Sequence, residues 1–322
     1  LGWARIARLN VIPALQRSSN GVLHAVASRS ETKRAECRTQ CNPPRLHSRY
    51  EDLLRDPEVD AVYNPLPNSL HREWTIKAAE HGKHVLCEKP AALNVAECRE
   101  MIAACRANGV LFMEAFMYRY STRTAKVVEV LRSGVLGEVK FIHSQFRFLL
   151  NRPGDVRREA TLGGGSLNDV GCYPVNFIGL VLDTLAGCAP GAGPQPESLL
   201  AQSVDVNGVD EMFSALLRYP GGVTAALHSG FNAHSRMAAE IIGTTGMLEV
   251  PFTFLGHEGP LTLTTGDQKQ EIAVPESDRY QLQAEDFADA ILQNRPPRLT
   301  PEETLRNQEL LDRLHAAARR GA

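Results

Sequence analysis

Four short apolar runs in the first third of the chain constrain its fold most. They lie at residues 22–27, 60–64, 84–87 and 110–113, with helical stretches at 6–15, 31–40, 70–80 and 95–107. The runs do not alternate apolar with polar residues, so both of their faces need cover. Strand–helix alternation of this kind predicts a parallel sheet with helices on both sides. The helix at 95–107 carries its own boundaries: Asn94 as N-cap, Glu97 three residues on, and Asn108-Gly109 as a stop.

The pattern changes after about residue 118. A helix at 125–131 ends at Gly134, and long alternating strands follow at 139–148, 212–219 and 223–231, the last two a hairpin around Pro220-Gly221-Gly222. Further strands at 237–242 and 247–250 pair across a Gly-Thr-Thr-Gly turn, and those at 261–265 and 271–274 flank Gly266-Asp267. They predict an open, mainly antiparallel sheet with one face available for packing or for a partner. Residues 186–198 are a Pro/Gly-rich surface loop. Helices at 281–292 and 301–319 close the chain, the second with Thr300 and Glu303 as a capping box. We therefore expect two domains of the α/β class: a Rossmann-type domain over 1–118 and a domain built on the open antiparallel sheet over 119–322.

A formal net charge of -2 over 322 residues gives no reason to expect nucleic acid or an anionic membrane as partner. No apolar run is long enough to span a bilayer, and no signal peptide is visible, which suits the cytoplasm. The seven cysteines are odd in number and mostly in apolar contexts, as reduced core thiols would be. Cys37 and Cys41 are not followed by a second pair with zinc-like spacing, so no metal site is read.

Gly2-Trp3-Ala4-Arg5-Ile6-Ala7 fits a degenerate G-x-G-x-x-A turn, with Ala4 where the second glycine belongs. Gly2, Arg5 and Ile6 are its candidate cofactor contacts. Only Leu1 precedes the turn, where a strand of about five residues is expected. A sheet lacking that strand would expose ladder groups and apolar faces, so a truncated first strand is the expectation. After the run at 22–27 come Ser28 and Arg29, with no acid until Glu31. Arg29 can fork onto a phosphate with the Ser28 hydroxyl beside it, which favours NADP over NAD.

Lys89 follows Glu88 at the carboxyl end of the run at 84–87, where open α/β sheets bind ligands. Pro90 restricts its backbone and makes Lys89-Pro90 a candidate cis bond. Read alone, Glu88 and Lys89 are equally a surface ion pair. Gly163, Gly164 and Gly165 permit a close backbone approach, and Asp169 and Tyr173 share one face if 167–180 is an α-helix. Read alone, Tyr173 is equally a core tyrosine and Asp169 a helix-start acid.

Taken in order, "PLPNSLH" (65–71), "GKHVLCEKP" (82–90), "EAFMYRY" (114–120), "GEVKFI" (137–142) and "GGGSLNDVGCYPVN" (163–176) resemble one family. The chain is similar to the glucose-fructose oxidoreductase, inositol dehydrogenase and MocA family, nearest its D-xylose and dimeric dihydrodiol dehydrogenase branch. The resemblance implies that Lys89 is the Glu-Lys-Pro lysine, Tyr173 the acid/base, and Asp169 the aspartate one turn earlier. It implies that Pro65, Leu66, Asn68, His71, Glu88, Lys89 and Arg157 line the cofactor. It further implies that 1–118 binds NADP, and that 119–322 binds substrate and makes a homodimer through its sheet. Asn168 stands where relatives carry a larger apolar residue.

These residues imply an NADP-dependent dehydrogenase that moves a hydride between nicotinamide and a CH–OH carbon of a small sugar or cyclic diol. Tyr173 is the proton carrier, its phenol made more acidic by the Lys89 ammonium. The alternative is a catalytically silent sensor or regulator on the same fold, which would have no need of Lys89, Asp169 and Tyr173 together.

Overall fold

The computed structural model describes residues 1–255 and 259–320. The chain divides into two compact units, Leu1–Met117 with Asp278–Thr304, and Tyr118–Ser277 with Leu305–Ala322.

In the first unit a π-helical turn, Ala7–Val11, runs into helix α1 (Ile12–Arg17). Strand β1 (Ala25–Ala27), helix α2 (Glu31–Gln40), strand β2 (Arg45–His47) and helix α3 (Tyr50–Leu54) follow. Strand β3 (Ala61–Asn64), helix α4 (His71–Glu80), strand β4 (His84–Cys87), helix α5 (Val95–Ala107) and strand β5 (Phe112–Glu114) complete the alternation. Every strand pair is parallel. The caps are local chemistry: Ser30 accepts the Lys33 N–H, and Asn94 accepts the Glu97 N–H. Cys98, Met101 and Cys105 bury the inner face of α5.

The parallel sheet is in two pieces, β1-β2 and β3-β4-β5. Leu1 and Gly2 stand between them: the Leu1 nitrogen donates to Tyr63 O at 2.7 Å, and the Gly2 N–H donates to Ala27 O at 2.8 Å. Beyond these rungs lies a cavity of about 380 Å³ between β1, β3 and the helix Arg279–Leu292. Val26, Val62 and Phe287 are among its walls.

The second unit opens with helix α6 (Thr122–Ser133), capped by Ser121 and ended by Gly134 at φ +71°. Strand β6 (Val139–Arg147) leads to helix α7 (Cys172–Ala186). Strands β7 (Ser198–Val206), β8 (Val209–Arg218), β9 (Thr224–Gly230), β10 (Arg236–Gly243), β11 (Gly246–Pro251), β12 (Leu261–Thr265) and β13 (Gln268–Ile272) follow. They form one eight-stranded sheet in the order β13-β12-β11-β10-β6-β9-β8-β7. Only the β6–β9 pair is parallel among the described residues. Ile142, Phe213, Leu227 and Ile241 are buried, as are Phe177 and Val181 of α7, which packs against β6 and β9. On the outward face Leu200 pairs with Leu216 and Val204 with Met212, all exposed. Helices α8 (Arg279–Leu292) and α9 (Pro301–Arg320) close the chain, with Asp278 capping α8.

One helix differs from expectation. Residues 167–180 are not all α-helical: Leu167–Gly171 is a π turn that passes into α7. An α-helix would ask residue 174 to donate to Val170 O, and Pro174 has no N–H. The π turn at Ala7–Val11 has the same cause, since Leu9 O would need the missing N–H of Pro13.

Candidate active site

In the first unit the lysine turn is built from the backbone upward. Strand β4 ends at Cys87, and the Glu88 N–H donates to Asn64 O at 3.0 Å, one more parallel rung onto β3. Lys89-Pro90 is cis. Beyond it the Ala91 N–H donates to Glu114 Oε1 at 2.9 Å, at the end of β5. His71, fully buried at the start of α4, places Nδ1 2.9 Å from Pro90 O and Nε2 2.8 Å from Leu66 O. One ring thus joins the 65–71 segment to the lysine turn. Burial brings its pKa down to about 4, so the ring is neutral at pH 7 and donates to one of the two carbonyls while only facing the other.

Glu88 Oε1 accepts the Tyr63 phenol at 2.6 Å. Pro65 and Leu66 are buried, and Asn68 opens a short 3₁₀ turn before His71. Pro65, Leu66, Asn68, His71, Glu88 and Lys89 therefore sit on one connected set of backbone turns.

The glycine turn reaches the same set. Gly2 has φ +72°, and a Cβ there would stand 3.1 Å from Leu66 Cδ2 and 3.6 Å from the Tyr50 hydroxyl. Helical geometry begins at Arg5, exposed, and Ile6, half-buried. At the end of β1 Ser28 is buried, while Arg29 is exposed with its guanidinium 5.2 Å from the centre of the Tyr50 ring. These residues fit a dinucleotide. The left-handed glycine gives a cradle that a side chain would crowd, a helix start follows it, and Arg29 lies on an aromatic platform beside it.

Two residues of this unit escaped the sequence reading. Glu114 is buried, which raises its pKa to about 8; the Glu303 charge adds to that and the Lys89 charge opposes it. Tyr280, on α8, is raised to about 12 by burial, and the charges of Glu88 and Lys89 reach it with opposite sign. Glu114 opens the "EAFMYRY" string without a role being read for it, and Tyr280 carries no local motif; only the fold brings them to the lysine turn.

In the second unit Gly164 and Gly165 make the expected close approach, and Gly163 takes φ +78°. A Cβ on Gly164 would stand 2.5 Å from Arg157 O, and one on Gly165, at φ +108°, 2.3 Å from Asp210 Oδ1. Asp210 holds the next turn by accepting from the Ser166 hydroxyl and the Leu167 N–H, both at 2.7 Å. Asn168 donates to Gly163 O and Gly164 O, and its Oδ1 faces His315 Nε2 at 2.9 Å. Asn168 thus fastens the glycine turn to α9.

Arg157 Nε donates to Asp169 Oδ2 at 2.6 Å, and its Nη1 reaches Asp155 at 3.2 Å. The Asp169 charge raises the Arg157 pKa further. Tyr173 is 5% exposed, its ring 5.9 Å from Tyr118, 5.4 Å from Phe146 and 5.3 Å from Phe254 between centroids. The Tyr118 phenol donates to Asn176 Oδ1 at 2.5 Å. A phenol on an aromatic floor, one helical stretch from a carboxylate clamped by a guanidinium, is an arrangement suited to moving one proton.

Comparison with known proteins agrees. Residues 1–116 match the family model for an oxidoreductase family with an NAD-binding Rossmann fold, and residues 124–249 match the GFO/IDH/MocA C-terminal domain. D-xylose 1-dehydrogenase (NADP(+)) 2 of Haloferax volcanii is 35% identical over 100% of this chain and 97% of its own length. Trans-1,2-dihydrobenzene-1,2-diol dehydrogenase of Xenopus laevis is 35% identical over 76% of this chain and 71% of its own. Among solved structures, the 3-ketoreductase KijD10 of Actinomadura kijaniata, in complex with NADP and TDP-benzene, superposes with a TM-score of 0.90 at 30% identity. That match covers 98% of this chain and 95% of the ketoreductase. The chain belongs to the GFO/IDH/MocA family of oxidoreductases, with an N-terminal Rossmann domain and the family's C-terminal domain.

Proposed function

We propose that this protein catalyses NADP-dependent hydride transfer at a CH–OH carbon of a small sugar or cyclic diol. The observation that carries the reading is the lysine turn. Lys89 stands at the carboxyl end of a parallel strand, with the backbone bonded on both sides to β3, α4 and β5. So much fixed structure around one ammonium is more than a surface ion pair requires.

Gly2, Arg5, Ile6, Pro65, Leu66, Asn68 and Glu88 hold the cofactor, with Ser28 and Arg29 on the extra phosphate that separates NADP from NAD. The bound nicotinamide supplies hydride acceptance or donation. Lys89 holds the substrate oxygen, and Tyr173 takes the hydroxyl proton during oxidation and returns it during ketone reduction. Asp169, oriented by Arg157, accepts hydrogen bonds from substrate hydroxyls. Arg157 completes the cofactor side of the second unit.

The protein acts as a homodimer through the outward face of its large sheet. The exposed Leu200–Leu216 and Val204–Met212 pairs support this, because apolar cross-strand pairs of this kind gain from cover. The seven free cysteines suit a reducing compartment, the cytoplasm. No helix among the described residues is long and apolar enough to cross a membrane.

The test is reduction of NADP⁺ and of NAD⁺ by a panel of aldoses and trans-dihydrodiols, with Lys89→Ala and Tyr173→Phe alongside. Turnover with NADP⁺ that both substitutions abolish supports the reading. Turnover indifferent to both removes the assigned chemistry, and cofactor binding without turnover on any substrate in the panel favours a sensor.

A further inference from the structure

Asp169 belongs to a closed ring of hydrogen bonds. Its own N–H donates to Gly165 O at 3.0 Å, the Gly165 N–H donates to Arg157 O at 2.9 Å, and Arg157 Nε donates back to Asp169 Oδ2 at 2.6 Å. Asp155 steadies the Arg157 corner by accepting its N–H at 3.1 Å. The main chain and the carboxylate of Asp169 are thus fixed by the same two residues. The direction of that carboxylate depends on where the Gly163–Gly165 turn stands.

A side-chain hook holds the turn. Asn168 Nδ2 donates to Gly163 O at 3.3 Å and to Gly164 O at 3.1 Å. Carbonyls only accept, so the amide nitrogen faces the turn and Oδ1 faces α9. There Oδ1 meets His315 Nε2 at 2.9 Å. An amide oxygen also only accepts, so Nε2 carries a proton and donates. The imidazole is packed edge-on against Phe213, with ring centroids 6.3 Å apart.

We propose that His315 is a positioning residue. Through Asn168 it fixes the Gly163–Gly165 turn, and through that turn the direction in which the Asp169 carboxylate meets substrate hydroxyls. The inference rests on the reading of Asp169 given above. Every link lies within the second unit. His315 acts here through its Nε2 proton, whereas a histidine that only filled space beside Phe213 would act through its shape.

Three variants of the full chain separate those roles. His315→Phe fills the space and has no donor. His315→Gln offers an amide N–H in place of the imidazole N–H. Asn168→Leu removes the hook itself. Two signals are read: the Arg157 Nε–H resonance in ¹⁵N–¹H spectra, identified by its loss in Arg157→Lys, and KM for the sugars or diols turned over. His315→Phe and Asn168→Leu are each expected to shift or broaden the resonance and to raise KM by about three- to tenfold, with a smaller change in kcat. His315→Gln is expected to keep the resonance and to hold KM within about twofold of wild type. Added to Asn168→Leu, His315→Phe is expected to raise KM by less than about twofold more, because the second loss acts through the first. A wild-type resonance and KM in His315→Phe or in Asn168→Leu overturns the proposal. So does a His315→Gln variant as impaired as His315→Phe, or a double variant whose two effects multiply. If the resonance responds as stated while no sugar or diol is turned over, the positioning stands and the substrate role of Asp169 falls.

Discussion

The Ala91 N–H donates to Glu114 Oε1 at 2.9 Å, tying the end of β5 to the turn that carries Lys89. Ala91 is two residues from the lysine, so Glu114 helps to fix the backbone that carries Lys89. Glu114→Gln keeps an acceptor and is expected to retain kcat within about tenfold. Glu114→Ala leaves a buried N–H without its partner and is expected to lower kcat by about 10- to 100-fold, with a smaller effect on KM. Steady-state kinetics of the pair separate positioning from mere filling of space.

Two buried groups give stability a pH dependence. Glu114 has a folded pKa of about 8 against an ordinary value of 4.5. Between those values the unfolded chain ionises and the folded chain does not, so stability falls as pH rises from about 4.5 to 8, by an amount on the order of a few kcal/mol. His71 acts in the opposite sense. Its folded pKa is about 4 against 6.5, so the unfolded chain gains a proton first and stability falls as pH drops from 6.5 toward 4. Urea midpoints of Glu114→Gln are expected to decline less than wild type between pH 6 and 8.

Two phenols answer to the same test. Tyr173→Phe is expected to lower turnover by roughly 10²–10⁴ with KM largely kept. Tyr280 is near the charges of Glu88 and Lys89, yet burial holds its pKa up to about 12, which suits a proton carrier poorly. Tyr280→Phe is expected to change kcat by less than about tenfold. A reversal of that order in the two variants would move the acid/base role to α8.

Arg29 lies over Tyr50, exposed at the end of β1. Arg29→Asp removes a phosphate fork and supplies a ribose acceptor. It is expected to lower kcat/KM for NADP⁺ by about 10- to 100-fold and to shift preference toward NAD⁺. An unchanged ratio of the two cofactors would take Arg29 out of the site.

In the second unit Asp183 accepts from the N–H groups of Gly191 and Gly193, each at 2.9 Å, and pairs with Arg306 on α9. Both partners of that pair are 7% exposed. Asp183→Ala leaves a buried guanidinium uncompensated and is expected to cost about 3–5 kcal/mol, visible in the urea midpoint.

What the sequence revealed follows from where the information lies. Helices α2 and α5 were legible to the residue because Ser30, Asn94 and Glu97 write their ends locally. Strand β4 was legible because its apolar run stops at an acid, a base and a proline. Strand β2 was not: Arg45-Leu46-His47 looks like loop and becomes a strand only by pairing with β1. Strand β7 was missed because its apolar residues, Leu200 and Val204, face outward and so mimic a surface segment. The π turns were hidden because apolar spacing reports helix, not which carbonyl loses its donor to Pro13 or Pro174. At the site, Lys89, Asp169 and Tyr173 stood in recognisable strings. Glu114, Tyr280 and the Arg157–Asp169 bond depend on distant segments meeting, which spacing along one chain does not encode.

The Asn168–His315 contact has a consequence for a turn far from His315 along the chain. With Asn168 holding Gly163 O and Gly164 O and its Oδ1 facing His315 Nε2, the glycine turn leans on α9. Amide protons of Gly163 and Gly165 should exchange with deuterium faster in His315→Ala than in wild type, while those of β3 and β4 keep their pace.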